Sequence, residues 1–262
     1  MKIIHRIDRK EYKEFLNSID FTSEHFSDIA LNKIDLQNKK RFCLRHDIGN
    51  AVDFERCISF ARVEKKLDIK ATYFFLHTSA FFNYSPIIID TCKSLIDMGH
   101  EIGICNNALT AYYMLNKSKS FKKILLEPIE FFRNNGIDIK GSTSFNGDLF
   151  PGMNYENYEI WSEYSKNKNE GFSKLDFDRV SLKTLGLLYE TYFLDYDYYL
   201  SDYGFKWTGF IINKGRPKLT ERSIINTKKD GGISIIPSYN SRVGGCLFQI
   251  SISPCRNWWI VY

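Results

Sequence analysis

Long apolar runs are missing from this sequence. No stretch of about 18 consecutive apolar residues occurs, so no helical membrane span is expected. The opening residues, Met1 to Phe15, hold no apolar core of about 7–15 residues and no small-residue cleavage site, so the chain is expected to stay in the cytoplasm. Cysteine pairs are missing too. Cys43, Cys57, Cys92, Cys105, Cys246 and Cys255 stand singly, which argues against a zinc ribbon or a thioredoxin-like motif. Buried free thiols are the ordinary reading for most of them. No block of five like charges occurs, and the net charge is only +5. A nucleic-acid binder concentrates its charge on one face, so none is expected here. Proline is scarce, at 6 residues, and histidine at 5.

What is present is a globular composition. Apolar residues make up 44% and charged residues 26% of 262 residues, which excludes disorder and collagen-like structure. The unusual figure is 16% aromatic. Residues 1–40 are polar and helix-prone, with apolar beats at Tyr12, Phe15 and Leu16. RFCLRHD at 41–47 reads as a buried strand that stops at the polar DIGN. Phe54, Cys57, Ile58 and Ala61 then keep helical spacing. ATYFFL at 71–76 is a second strand, and Pro86 suits the first residue of a helix ending at Gly99. HEIGI at 100–104 is a third strand. Phe121, Ile124, Leu125, Ile129 and Phe132 mark a helix closed near Gly136, and IKGSTSF at 139–145 is a fourth strand. Four such units in a row argue for parallel strands with helical crossovers, in a barrel or an open doubly wound sheet. The second half differs. A polar insertion over 150–170 is followed by strand-like pieces at 184–194, 206–212, 232–236, 246–252 and 258–262, with Gly-Gly turns at 231–232 and 244–245. No internal repeat or clean linker is found.

In α/β folds, chemistry collects at the C-terminal ends of the strands. That rule nominates RHDIGN, HTSAFFN, GHEIGICNN and STSFNGD, with SISPCRNWW near the chain end. The ordered set LRHDIG, ATYFFL, GHEIG, a Ser-rich turn and a late Pro…Trp segment resembles the polysaccharide deacetylase family. This is the NodB-homology group, similar to carbohydrate esterase family 4. The texts TYFFL…FFNYS and YYLSDYGFKW look like the branch with an RHDVD first motif, found among surface-polysaccharide genes. The resemblance covers residues 41–259. It implies an α/β fold, a distorted or incomplete (β/α) barrel of about seven strands. It divides the chain into an N-terminal helical extension, 1–40, packed on the barrel, and a deacetylase-like domain, 41–262.

Family members hydrolyse an acetamide or acetate ester on a sugar. A divalent metal, often zinc, is held by one Asp and two His and activates a water. A second Asp serves as general base and a late His as general acid. This chain departs from that pattern. Asp47 remains, but the second acidic position of the first motif is Gly49. Asp53 lies too far along to replace it by spacing. The His-x-x-x-His positions after GHEIG are Cys105 and Leu109. Asn146 stands for the histidine of the fourth turn, and Ser253 for the late catalytic one. Zinc wants three or four good ligands, so no bound metal or other cofactor is expected.

Asp47 and Cys105 are therefore the candidate catalytic residues, with a turn cap and an inert thiol as their ordinary readings. A nucleophilic Cys105 needs a base, for which only His46 and His77 are plausible, and Asn106 and Asn107 could donate to its sulfur. His46 and His100 resemble scaffold histidines, and Glu101 is expected to pair with Arg45. The substrate-binding candidates are His46, Asn83, Asn146, Ser201, Asp202, Trp207, Ser253 and Trp258. A minority of the tyrosines over 189–203 is expected to line a cleft, as aromatic faces suit sugar rings. The expected partner is a sugar or sugar nucleotide, with a second copy or a glycan-biosynthesis enzyme as a possible protein partner. Two functions stay open: a deacetylase-like protein whose metal site has decayed, and an enzyme using a rebuilt site around Asp47 and Cys105.

Overall fold

The computed structural model describes residues 5–6, 9–31, 40–115, 118–145, 156–164, 178–194, 198–201, 208–213, 216–219, 225–227, 233–235, 246–252 and 257–258. The first half runs β1 (His5–Arg6), α1 (Arg9–Asn17), β2 (Thr22–Ser23), α2 (Phe26–Ala30), β3 (Lys40–Ile48), α3 (Ala51–Lys66), β4 (Ala71–Leu76), α4 (Pro86–Asp97), β5 (Glu101–Asn106), α5 (Ala108–Met114), α6 (Phe121–Asn134) and β6 (Gly141–Ser144). The second half adds β7 (Tyr189–Glu190), β8 (Tyr198–Ser201), β9 (Thr208–Asn213), β10 (Arg216–Leu219), β11 (Ile225–Thr227), β12 (Ile233–Ile235), β13 (Cys246–Ser251) and β14 (Asn257–Trp258).

The helices begin where local chemistry tells them to. Asn50 caps α3 by accepting from the amides of Val52 and Asp53 at 2.9 and 3.1 Å. Pro86 opens α4, where its missing amide costs nothing. Ser120 caps α6 through the Lys123 amide at 3.3 Å. Gly99 and Gly136, with φ of +95° and +80°, let the chain leave α4 and α6 in a left-handed turn.

Each helical crossover returns the chain to a parallel neighbour. The sheet order is β8-β13-β3-β4-β5-β6-β7, parallel at every pairing, with β9 and β10 added antiparallel beyond β8. β2 also pairs β3. The sheet curls into a half-barrel clad with helices, an α/β architecture of the distorted-barrel kind. The four expected strands and the three helices between them appear close to their expected ends. The helix α5 and strands β1 and β2 were not expected from the sequence. Asp47 pairs with Phe74, Leu76 with Cys105, and Cys105 with Thr143, so these residues share one rim.

Alternation along each strand sends side chains to two sides. Outward, Phe42, Leu44, Tyr73, Phe75, Ile102 and Ile104 pack against the helices. Inward, Cys43, Phe74, Leu76, Cys105 and Tyr189 form a smaller core with Phe26 and Ile29 of α2. Gly141 makes the inner core possible, because a Cβ there would lie 1.9 Å from the Tyr189 ring.

The outer core contains one ion-bearing knot. Glu64 of α3 is fully buried. It accepts from Tyr12 of α1, from Tyr73 of β4 at 2.7 Å, and bonds His46 of β3 at 2.8 Å. His100 stands 3.6 Å away. Burial alone would push the Glu64 carboxyl up, but His46, His100 and Tyr12 outweigh it and hold it below its ordinary value. His46 is thus held inside the outer core, with no exposed surface.

Two outcomes are expected. Glu64→Ala strands a buried imidazole and two hydroxyls, and chemical denaturation should show a loss of about 3–5 kcal/mol. Because the Glu64 carboxyl is depressed on folding, its contribution is complete above the ordinary carboxylate range and is lost as the pH falls through its folded value. The denaturant midpoint of Glu64→Gln should accordingly fall less on acidification than that of the wild type. Separately, Gly141→Ala should expel the Tyr189 ring and lower the melting temperature far more than Gly49→Ala, where a Cβ would meet nothing closer than 3.7 Å.

Candidate functional site

The strand ends build the site from the inside outward. Arg45 and Asp47 are two apart on β3, so both point inward. Arg45 Nη2 donates to Asp47 Oδ2 at 3.0 Å. Arg45 Nη1 reaches Thr191 Oγ1 at 3.4 Å, and Thr191 in turn meets Thr143 Oγ1 at 2.7 Å. The Arg45 guanidinium also lies over the Tyr192 ring, 5.7 Å from its centre. The Asp47 side chain is 25% exposed. Its other oxygen, Oδ1, is buried and has no hydrogen-bond partner among the described residues. An unsatisfied carboxylate oxygen at a strand end is an acceptor awaiting a donor.

Beyond Tyr192 the rim becomes aromatic. Tyr158 lies 5.2 Å from Tyr192 and 5.5 Å from Tyr164, and Phe193 joins at 6.5 Å from both. All four rings are half-buried. Only Tyr192 lay within the tyrosine run singled out from the sequence. Tyr158 and Tyr164 come from the polar insertion, whose spacing gave no sign of a shared surface.

Several expectations are corrected. Arg45 pairs with Asp47, whereas Glu101 accepts from Tyr189 and from Thr72 at 3.4 Å. The reason is strand order: Arg45 pairs across to Thr72, and Thr72 to Glu101, so β4 stands between them. Asp47 does not cap the following helix, since Asn50 does. Cys105 is fully buried among Phe74, Leu76 and Tyr189. Burial drives its thiol well above the ordinary value, Asp47 adds to this, and Arg45 only partly opposes it. A protonated, enclosed thiol is neither nucleophile nor metal ligand. The bases proposed for it are also engaged. His46 lies in the outer core with both ring nitrogens bonded and no exposed surface, so it touches no substrate. His77 accepts the Asn107 amide at 3.1 Å through Nε2, and burial takes it down to about 4. Asn106 and Asn107 serve the loops instead of the sulfur. Asn106 donates to Asn157 O at 3.1 Å, and Asn107 to Thr78 Oγ1 at 2.8 Å.

Asn83 is exposed and its amide closes a turn onto Phe81 O at 2.9 Å. Ser201 ends β8 opposite Ser251 and Thr208. Trp258 pairs with His5 along the backbone. Asn146, Asp202, Trp207 and Ser253 lie outside the described residues.

Asp53 is the residue that spacing undervalued. Its Oδ2 accepts from the Gly49 amide at 3.1 Å and from Asn50 Nδ2 at 2.7 Å. The same oxygen lies 3.7 Å from where a Cβ on Gly49 would sit. A carboxylate thus reaches the second acidic position of the first motif from the helix instead of the strand. It is committed to the turn and is buried. Among the described residues no three His, Cys, Asp or Glu side chains come together to hold a metal ion. Leu109 is buried in the first turn of α5 and offers no ligand. The donor set at these positions does not fit zinc.

No protein-family profile and no curated protein matches the sequence. Among solved structures, the chain is similar to the Xyl-CE4 domain of a multidomain xylanase from the hindgut metagenome of Trinervitermes trinervoides. The likeness has a TM-score of 0.28 and 15% identity, and it covers 45% of this chain and 56% of that one.

Native protein treated with iodoacetamide at mildly alkaline pH should leave Cys105 unmodified while the denatured chain is alkylated, as read by peptide mass spectrometry. Rapid native labelling of Cys105 would show a reactive thiol.

Proposed function

We propose that the chain is a polysaccharide deacetylase-like protein of bacterial surface-glycan biosynthesis, O-antigen or capsule, with little or no deacetylase activity. In this reading residues 1–40 extend a distorted barrel of about seven strands, and the protein works in the cytoplasm on a sugar or sugar nucleotide. A homo-oligomer or a glycan-biosynthesis enzyme is the accompanying protein partner. The observation that carries the reading is the buried, unpartnered Oδ1 of Asp47 beside the half-buried Tyr192–Tyr158–Tyr164 wall. A sugar matches both parts. Its hydroxyl or acetamido N–H donates to Oδ1, and its C–H face lies on a ring. Arg45 occupies Oδ2 of Asp47, and Oδ1 has no donor among the described residues. No helix of the described residues is long and apolar enough to cross a membrane.

The catalytic alternative uses Asp47 as general base, which requires a water beside Oδ1 and something to polarise the acyl carbonyl. The residues at the family's metal positions do not supply that polarisation, which favours binding over turnover. Calorimetry with acetamido sugars and their nucleotide conjugates, beside an acetate-release assay, separates the two. Tyr192→Ala should weaken binding about tenfold, equivalent to about 1.4 kcal/mol. Asp47→Asn should weaken binding less, since an amide keeps a carbonyl acceptor. Acetate release by the wild type that vanishes in Asp47→Asn would overturn the degenerate-site reading. Full affinity in Tyr192→Ala would remove the aromatic wall from the site.

A further inference from the structure

His46 joins three parts of the fold through one imidazole. Its Nδ1 lies 2.8 Å from the carbonyl oxygen of Ile252, directly after β13. Its Nε2 lies 2.8 Å from Glu64 Oε1. A carbonyl oxygen only accepts. Glu64 already receives the hydroxyl protons of Tyr12 and Tyr73, so the Tyr12 oxygen, 3.3 Å from Nε2, has no second proton to give that nitrogen. Two acceptors facing two ring nitrogens call for two N–H donors, and an imidazole with two is the imidazolium. We propose that His46 carries both protons at neutral pH and forms with Glu64 a buried ion pair that latches the Ile252 end of β13 to the strand bearing Asp47, and that loss of the proton releases this latch.

The surroundings bear on the charge from every packed element. Tyr12 faces the pair from α1, Glu64 and Cys57 from α3, Tyr73 from β4, and His100 from the turn before β5, while Asp47 follows on β3 itself. Burial pulls His46 down, but Glu64 opposite it, with Ile252 and Asp47 in support, leaves it raised. His100 contrasts with it. Its Nε2 lies 3.3 Å from Ala61 O, its Nδ1 has no partner among the described residues, and burial leaves it lowered although Glu64 pulls the other way.

The consequence for the rim follows from donor count. A neutral His46 has one N–H for two acceptors. The carboxylate is the stronger acceptor, so the Ile252 carbonyl loses its donor. The Ile252 amide remains bonded to Arg45 O at 2.9 Å, next to the Arg45–Asp47 pair. Release of the carbonyl thus loosens the backbone that flanks Asp47. A raised histidine stabilises fully below its ordinary value and loses that contribution as the pH rises through the folded value. The latch is therefore closed at neutral and mildly acid pH and opens on the alkaline side.

Long-range nitrogen–proton NMR on the full chain labelled at histidine tests this, with His46→Gln to assign the signals. Near about pH 7 both His46 nitrogens should resonate as protonated, while His77 and His100 each show one bare nitrogen. As the pH rises, the carbonyl carbon shift of Ile252 should change in step with the His46 titration. A bare His46 nitrogen at about pH 7 would overturn the proposal, whether its proton sits on Glu64 or is absent. An Ile252 carbonyl shift that ignores the His46 titration would overturn the latch. In Glu64→Gln, His46 should become neutral at the same pH; retention of both protons there would also overturn it. If that variant does not fold, the wild-type spectra decide alone.

Discussion

A single buried carboxylate organises the outer core. Glu64 takes hydrogen bonds or ion contacts from α1, β3, β4 and the turn before β5. An unpaired charge in that place would be ruinous, so the partners must arrive together. The N-terminal helix is therefore tied to α3 by a hydroxyl as well as by the tilted contact of Tyr12 with Phe60, 4.4 Å between ring centres. The same knot fixes the register of β3, since a slip by one residue would turn His46 inward and Asp47 outward.

That register decides what the rim can do. It sends Arg45 and Asp47 inward together, so the guanidinium binds one carboxylate oxygen and the other stays buried without a donor among the described residues. Gly49, the buried thiol of Cys105 and the buried Leu109 offer no ionised side chain to a metal. Asp53 returns one carboxylate to the neighbourhood of Gly49, yet spends it on two hydrogen bonds within the turn. In the proposed reading this acceptor, and the aromatic rings that continue from Tyr192 over Arg45, recognise hydroxyls and ring faces of a sugar.

Much of the scaffold was legible in the sequence because the parallel strands are buried on both sides. FCL in the first strand, ATYFFL and EIGIC are short apolar runs, and Asn50, Pro86 and Gly99 mark the helix ends by ordinary chemistry. The rim was legible for the same reason, as parallel strands in order bring their C-terminal ends together. Pairings across the sheet were not. Arg45 and Glu101 looked like neighbours until β4 was placed between them. Glu64 was invisible, because a glutamate before Lys65 and Lys66 reads as a solvated helix face. The aromatic wall was also hidden, since Tyr158 and Tyr192 approach only through the packing of distant turns.

The central claim is that Glu64 holds the N-terminal helix and the rim in one cooperative unit. Amide hydrogen exchange in Glu64→Gln, compared with the wild type at neutral pH, tests it most directly. The account predicts that protection falls together in α1, in the Asp47 end of β3 and at Ile252, while α4 and α6 keep theirs. Loss confined to α1, with the Asp47 end of β3 and Ile252 as protected as before, would contradict it.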